Sequence, residues 1–350
     1  CAGPAKFIYA YVAYIGLGMA YTMTNVPYTA LPAVMTHDPK EVNRLNAAQM
    51  MGMTIGQIVL NLTVLPLVTF IGGGDQANGY QKTATLLAIV ALPMFWAVAV
   101  MSKEKVTVEK KEQGKVLDGL KMIAKNKNLL CAMFYSFFNM FGILGRISVA
   151  VFFYMHCVQN FALITVFMMM QMAVGTLVMP FAPKFVEKFG KRNGAIISMV
   201  IQGAALLLLY FGPSTSIPFN FLCMIIYGTG YIAGPSGSGM IVDAIDDFDD
   251  KYGVRNDGMA FSFNGTAIKI ATAIANSVFL LVMGAFGYVG GGEITPHVQT
   301  GINLAANLLP GIVFLIGIIP LALYDLDKPG YMEAVRERLT TCNTEKKAEK

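Results

Sequence analysis

Long apolar stretches alternate with short polar connections along the whole chain. A helix needs about 20 apolar residues to cross the hydrocarbon core of a bilayer, where a backbone polar group without a partner costs several kcal/mol. About nine stretches reach this length. They cover residues 6–35, 45–71, 80–101, 129–154, 161–185, 194–211, 217–242, 258–289 and 301–323. The pattern predicts an all-α membrane protein with about nine transmembrane helices.

Composition leads to the same conclusion. Of the 350 residues, 55% are hydrophobic and 13% are charged, and the mean hydropathy is +0.56. These values exclude a soluble globular domain. The five cysteines and three histidines are scattered without metal-ligand spacing, and the sequence contains no recognisable pairing of a nucleophile with a base. We therefore expect no enzyme activity, no metal site and no cofactor.

Lysine and arginine residues collect in alternate connections, and this bias sets the orientation of a membrane protein. They are dense in residues 36–44, 103–128 and 184–193 and in the tail after Leu326, whereas the intervening connections hold a single basic residue, Lys82. We predict that the basic connections and the C-terminus lie in the cytoplasm, as in a multi-pass protein of a bacterial inner membrane. The net charge of +5 then favours contact with anionic membrane lipid, and nucleic acid is not an expected partner.

The long basic connection 103–128 separates the first three apolar stretches from the last six. About nine crossings with a cytoplasmic C-terminus place Cys1 outside the cell, so we expect an odd number of further helices upstream. Three more would complete a transporter of two six-helix halves. We therefore predict residues 1–102 as the rest of an N-terminal half, 103–128 as a cytoplasmic linker, 129–325 as a six-helix half and 326–350 as a cytoplasmic tail.

The linker itself has an amphipathic pattern. Val116, Leu120, Ile123 and Ala124 fall on one face of a helix that the neighbouring lysines avoid. This predicts a short helix lying on the inner membrane surface, and a solvated linker is the alternative.

Two charged residues, Arg146 and Lys269, lie well inside predicted crossings. A charge in this position is costly, so it usually faces the interior of the bundle or a water-filled path. The alternative for each is a side chain that extends along the helix to the membrane interface. The two residues are therefore candidates for binding a polar substrate.

The first apolar stretch contains a second set of polar residues. Tyr21, Asn25 and Thr29 recur at steps of four and share one helical face. Pro27 leaves a backbone carbonyl one turn earlier without its donor, which predicts a local break able to coordinate an ion. Hydrogen bonding between packed helices is the alternative reason for these polar residues.

Two longer motifs resemble a known family. Residues 21–41, YTMTNVPYTALPAVMTHDPKE, resemble the fourth helix and following loop of the glycoside-pentoside-hexuronide:cation symporters, the group of the major facilitator superfamily that includes melibiose permease. Residues 242–274, VDAIDDFDDKYGVRNDGMAFSFNGTAIKIATAI, are similar to the family's aspartates, its K-x-G-x-R loop and a helix with an inward lysine. The runs GAFGYV and NLLPGIVFLIGIIPLALYDLDKPGY look like its last two helices.

The resemblance implies a major facilitator-type bundle that transports a sugar or glycoside together with Na⁺ or H⁺ by alternating access. It implies a group of substrate-binding residues, namely Tyr21, Asn25, Thr29, Gln49, Arg146 and Lys269. It implies cation binding by Thr22 and Asn25. It also implies a gating loop, formed by Asp243, Asp246, Lys251, Gly253 and Arg255.

The chain departs from the family at three positions. Asn25 stands where the family carries a carboxylate, Thr29 where it carries an aromatic residue, and Gln49 where it carries an arginine. The changes at Asn25 and Gln49 together keep the net charge, and they leave both the sugar and the coupling ion open. Alternative readings are a carrier of the same fold for another solute, such as an amphiphilic lipid, and a membrane sensor or enzyme that transports nothing.

Overall fold

The structure, a computed structural model, describes residues 4–35, 39–73, 76–102, 125–159, 163–234, 236–253, 257–290, 292–328 and 330–348. These residues form helices and their connections, and no β-strand occurs among them. The chain divides into two compact units, Cys1–Glu112 and Gln113–Lys350, here called the N-terminal unit and the C-terminal unit. The prediction of an all-α protein is confirmed.

The described part of the N-terminal unit consists of α1 (Pro4–Met35), α2 (Pro39–Gly72) and α3 (Gln76–Met101). α2 and α3 approach closely, since a Cβ atom at Gly79 would lie 2.4 Å from the carbonyl oxygen of Val68. The predicted break at Pro27 is wrong: α1 continues through this residue. A membrane helix tolerates the loss of the single backbone hydrogen bond that proline removes, because the backbone hydrogen bonds on either side remain.

The C-terminal unit contains the remaining helices. They are α4 (Lys127–Phe153), α5 (Ile164–Val178), α6 (Ala182–Phe189), α7 (Lys191–Phe211), α8 (Ile217–Thr229), α9 (Ser236–Tyr252), α10 (Asp257–Ala285), α11 (Pro296–Asn303), α12 (Leu309–Ile316), α13 (Ile318–Ala322) and α14 (Tyr331–Ala348). A π-helical turn, Tyr154–Val158, extends α4, and a second one, Leu304–Leu308, joins α11 to α12. A 3₁₀ turn, Gly230–Ala233, follows α8.

Seven helical segments of the described chain are long and apolar enough to cross a membrane. They are Asn78–Met101, Lys127–Val158, Ile164–Phe189, Lys191–Phe211, Ile217–Tyr252, Gly258–Ala285 and Pro296–Ala322. They correspond to seven of the predicted stretches. The other two, 6–35 and 45–71, lie in α1 and α2, helices of 32 and 34 residues. That α1 and α2 also cross the membrane stays a prediction. The residues proposed for the amphipathic helix of the linker lie outside the described residues.

Small residues let helices of the C-terminal unit pack closely. A Cβ atom at Gly145 of α4 would lie 2.4 Å from the ring of Phe279 on α10, and one at Gly142 would lie 2.8 Å from the ring of Phe314 on α12. Both rings are fully buried. Lipid tails are as apolar as these side chains, so close van der Waals contact has to supply the association energy. Gly142 and Gly145 therefore place α4 at the centre of the unit.

Replacing Gly145 by alanine should lower the thermal midpoint of the purified protein. The new methyl group would overlap a buried ring, and overpacking of this kind costs about 1–3 kcal/mol. Gly265→Ala on α10 is the matched control, because nothing lies within 4 Å of a Cβ atom there. Equal midpoints for the two variants would contradict the packing of α4 on α10.

Candidate functional site

Two candidate site residues of the N-terminal unit, Tyr21 and Asn25, lie along one face of α1. Tyr14, Tyr21, Asn25 and Tyr28 recur at steps of seven, four and three, so their side chains share a face. Tyr14 and Tyr21 are exposed, and Asn25 and Tyr28 are half-buried. Tyr21 and Asn25 were predicted as site residues from the sequence, and the two further tyrosines were not. The side chain of Thr29 lies outside the described residues.

The side chains of two predicted site residues, Thr22 and Gln49, donate hydrogen bonds to backbone carbonyl oxygens. The Thr22 hydroxyl donates to the carbonyl oxygen of Gly18 at 2.9 Å, so its oxygen can still accept or coordinate through a lone pair. The Gln49 amide nitrogen donates to the carbonyl oxygen of Tyr28 at 3.0 Å and so joins α2 to α1. Gln49 therefore positions the helix that carries Tyr21 and Asn25.

In the C-terminal unit, Lys269 lies on a polar stripe of α10. Ser262, Thr266, Lys269 and Asn276 recur at steps of four, three and seven, and all four are exposed. We call them the polar face of α10. The opposite face, which includes Ala271 and Phe279, is buried within the unit. Exposed polar side chains on a membrane-crossing helix are typical of a water-filled path rather than of a lipid contact.

Lys269 was predicted as a site residue from the sequence, and its polar neighbours on this helix were not. Ser262, Thr266 and Asn276 were detectable from their spacing relative to Lys269, because they recur with the period of a helix. Serine and threonine are also common at helix contacts in membranes, so spacing alone does not separate the two roles. Their exposure in the structure shows that they do not serve as helix contacts within the C-terminal unit.

Arg146 has a different environment from Lys269. Its side chain has no exposed surface, and the Nη2 group donates to the Tyr154 hydroxyl at 3.1 Å. The guanidinium carbon lies 5.6 Å from the ring centre of Phe153 and 5.4 Å from that of Tyr154. The Nε and Nη1 groups have no hydrogen-bond partner among the described residues. Complete burial excludes the alternative that Arg146 extends to the membrane interface.

Tyr154 contacts this arginine, and Tyr227 and Tyr231 lie near it. Tyr154 stacks on Phe167 with ring centres 4.8 Å apart, and Tyr227 meets Tyr231 edge to face at 5.8 Å. Arg146, Phe153, Tyr154, Tyr227 and Tyr231 form what we call the Arg146 site. Tyr154 follows Arg146 in the same helical segment, whereas Tyr227 and Tyr231 come from a distant segment that only folding brings near it, so the sequence pointed to Arg146 alone.

The predicted gating residues lie in an ionic cluster at one end of the C-terminal unit. Asp243 of α9 is 5% exposed, and its two carboxylate oxygens accept from Lys191 Nζ at 2.6 Å and from Arg336 Nη2 at 2.7 Å. Arg336 also approaches Asp246, with 3.4 Å between its Nε and the carboxylate. Asp243 therefore connects α9 both to the start of α7 and to α14.

Further pairs bind α14 to α9. The Tyr331 hydroxyl donates to Asp247 at 2.7 Å, and the same carboxylate accepts from Lys251 at 2.9 Å. Arg338 donates to Asp250 at 2.6 Å. The bond to Asp247 raises the pKa of Tyr331, because the deprotonated phenol could no longer donate it. The aspartates thus hold the C-terminal helix on α9.

The prediction of a loop for the gating residues is wrong. Asp243, Asp246 and Lys251 belong to α9, because the aspartates at steps of three and four face cationic partners on one side of that helix. Gly253 follows the helix with a φ angle of +66°, a conformation that glycine adopts without strain. Arg255 lies outside the described residues.

The family described as MFS/sugar transport protein matches residues 2–328 of the chain. The protein belongs to this family. The match includes the helices that carry Asn25, Arg146 and Lys269 as well as α9. It confirms the major facilitator-type bundle that the sequence motifs indicated, while the count of nine transmembrane helices is not confirmed.

Several curated proteins resemble this family member. An isoprimeverose transporter of Lactiplantibacillus pentosus is 28% identical over 329 residues, which cover 92% of this chain and 68% of the relative. A glucuronide carrier protein homolog of Escherichia coli is 26% identical, over 95% of this chain and 73% of the relative. The symporter YnaJ of Bacillus subtilis is 26% identical, again over 95% of this chain and 73% of the relative. These similarities confirm the resemblance to sugar:cation symporters.

Proposed function

We propose that this protein carries a sugar or glycoside across a bacterial cell membrane together with a cation, Na⁺ or H⁺. The observation that carries the proposal is the polar face of α10, which exposes Lys269, Ser262 and Thr266 on a segment apolar enough to cross a membrane. A lipid-facing helix would not carry this row of polar groups. Family membership provides the transport mechanism, alternating access between two helical halves.

The residue types suit a hydroxylated solute. Lys269 and Arg146 can donate several hydrogen bonds to hydroxyl groups, and the exposed ring of Tyr21 can stack on the apolar face of a sugar ring. On α1, Asn25 and Thr29 are further candidates for sugar contact, and Gln49 holds that helix against α2 through the Tyr28 carbonyl. Thr22 and Asn25 offer neutral oxygens to a cation, which favours a ligand set completed by other groups.

The ionic cluster would act in gating. Alternating access requires one end of the C-terminal unit to open and close. The pairs of Asp243 and Asp246 tie α9 to neighbouring elements at that end, and Lys251 pairs with Asp247 within α9. We infer that this end faces the cytoplasm, because it contains the basic connection 184–193 and the basic tail. The same charge would attract anionic lipid headgroups.

A carrier for a non-sugar solute is the second candidate. The relatives named for isoprimeverose and for glucuronides favour a sugar for this chain too. A non-transporting sensor or an enzyme is not favoured, since the family is one of transport proteins.

Uptake into proteoliposomes would test the proposal. We expect accumulation of a labelled glycoside only when a Na⁺ or H⁺ gradient is imposed, and we expect collapse of that gradient by an ionophore to stop it. The two gradients applied separately would identify the coupling ion. Uptake that depends on neither gradient would contradict symport. Flux of a lipid without competition by sugars would favour the second candidate.

A further inference from the structure

The charge of Arg146 has no anionic partner among the described residues of the C-terminal unit. Its single hydrogen bond goes to a neutral phenol, and its Nε and Nη1 groups have no partner among the described residues. The rings of Phe153 and Tyr154 offer only their π faces to the cation. Burying an unpaired charge costs several kcal/mol, whereas a guanidinium forms its strongest bonds with a carboxylate or a similar anion. The site therefore lacks the anionic group that would complete it.

No acidic side chain of the surrounding segments can supply that group. The sequence contains no aspartate or glutamate in residues 127–158, 164–186, 191–234, 258–290 and 296–322. The aspartates of α9 lie in the ionic cluster, where Asp243, Asp247 and Asp250 already have cationic partners. The membrane-crossing segments around Arg146 therefore offer it no carboxylate, which leaves a bound ligand as a source of the anion.

We propose that Arg146 receives a carboxylate or sulfonate group of the transported sugar, so that the protein selects acidic sugars over neutral ones. This inference rests on the proposed sugar symport and names its substrate class. The planar guanidinium can present two parallel N–H groups to two oxygens of one anion. The unpartnered Nε and Nη1 groups provide the donors, and Tyr154 holds Nη2 in place.

The segment that carries two of the tyrosines explains how the site could open. Tyr227 lies in α8 just before its end at Thr229, and Tyr231 lies in the 3₁₀ turn that follows, so the membrane-crossing segment is interrupted between them. The freed carbonyl of Gly230 is held by the Ser198 hydroxyl and by the Gln202 amide. An interruption of this kind is typical of a hinge. Movement at this hinge would uncover the guanidinium, which is closed off in the present conformation.

Matched pairs of sugars would test the inference by equilibrium binding to the purified protein in nanodiscs. The probes are methyl glucuronide against methyl glucoside and methyl galacturonide against methyl galactoside, which differ only in the carboxylate. The corresponding sulfonated glucoside distinguishes a sulfonate from a carboxylate preference. We expect an acidic member to bind about 10- to 100-fold more tightly than its neutral partner, as one charge-assisted bond pair would provide.

Variants at position 146 separate this role from a structural one. Arg146→Gln should remove the difference in affinity between the acidic sugar and its neutral partner. Arg146→Lys keeps the charge but loses the planar fork, so it should retain only part of the preference. The matched control is Arg338→Gln, which removes an arginine from the Asp250 pair in α14 and should leave the preference unchanged.

The outcomes distinguish the two proposals. Neutral sugars bound as tightly as acidic ones would overturn the anion site and leave sugar symport intact. A preference for acidic sugars that persists in Arg146→Gln would overturn the role of Arg146. Should the Gln variant not fold, the lysine variant decides, and an unchanged preference there would contradict recognition by a guanidinium fork. Absence of binding by every probe would overturn the anion site and would also count against the proposed function.

Discussion

Replacing Lys269 by alanine is expected to lower sugar uptake by about 10- to 100-fold, the loss that follows when one charge-assisted hydrogen bond to a buried substrate is removed. The thermal midpoint and the expression level should stay close to those of the unmodified protein. The reason is that the side chain is exposed and makes no hydrogen bond or ion pair with the described residues. Initial rates of gradient-driven uptake in proteoliposomes, at matched protein content, would provide the measurement.

The adjacent residue provides the control for Lys269. Ile270 is 49% exposed on the same helix, and its apolar side chain has nothing to offer a sugar. Ile270→Ala should leave uptake within about twofold, as expected for an exposed position away from a functional group. If Lys269→Ala matched Ile270→Ala in uptake, the lysine would be a side chain that extends to the interface, and the proposed role of the polar face of α10 would fail.

Replacing Asp243 by alanine is expected to destabilise the C-terminal unit by about 2–3 kcal/mol. The nearly buried carboxylate neutralises Lys191 and Arg336, and its removal leaves two cations close together without their anion. The estimate lies below the cost of breaking a fully buried pair, because the side chains of Lys191 and Arg336 are 28% and 51% exposed. The thermal midpoint should fall, and hydrogen exchange in residues 331–340 should accelerate as α14 loosens.

Asp325→Ala is the control for this ionic cluster. Asp325 pairs with Lys127 at 2.9 Å, but both side chains are more than half exposed. The hydrogen bond from Lys127 lowers the pKa of Asp325, so any stabilisation is present at neutral pH and is lost as the pH falls through the lowered pKa. Solvent screening keeps it small. If Asp325→Ala lowered the thermal midpoint as much as Asp243→Ala, the place of Asp243 in the ionic cluster would not explain its effect on stability.

Several features could be predicted because they depend on local sequence. Helices of the right length follow from apolar runs, and Lys269 stood out because a charge inside such a run is rare. The loop predicted around Asp243 was wrong because the helix there depends on partners that are distant in sequence. A run of aspartates normally repels itself out of a helix, and only the cations of α7 and α14, distant in sequence, make the helical arrangement favourable.

The sequence by itself determined the class of this protein: an all-α membrane protein of the major facilitator type, with polar groups at Asn25, Arg146 and Lys269. Hydrocarbon imposes helix length and the cost of polar groups directly on the order of residues. The tertiary structure alone decided that Lys269 is exposed beside Thr266 while Arg146 is enclosed by Tyr154 and tyrosines of a later segment. Burial and hydrogen bonding between distant segments depend on how helices pack, and a linear pattern does not contain that packing.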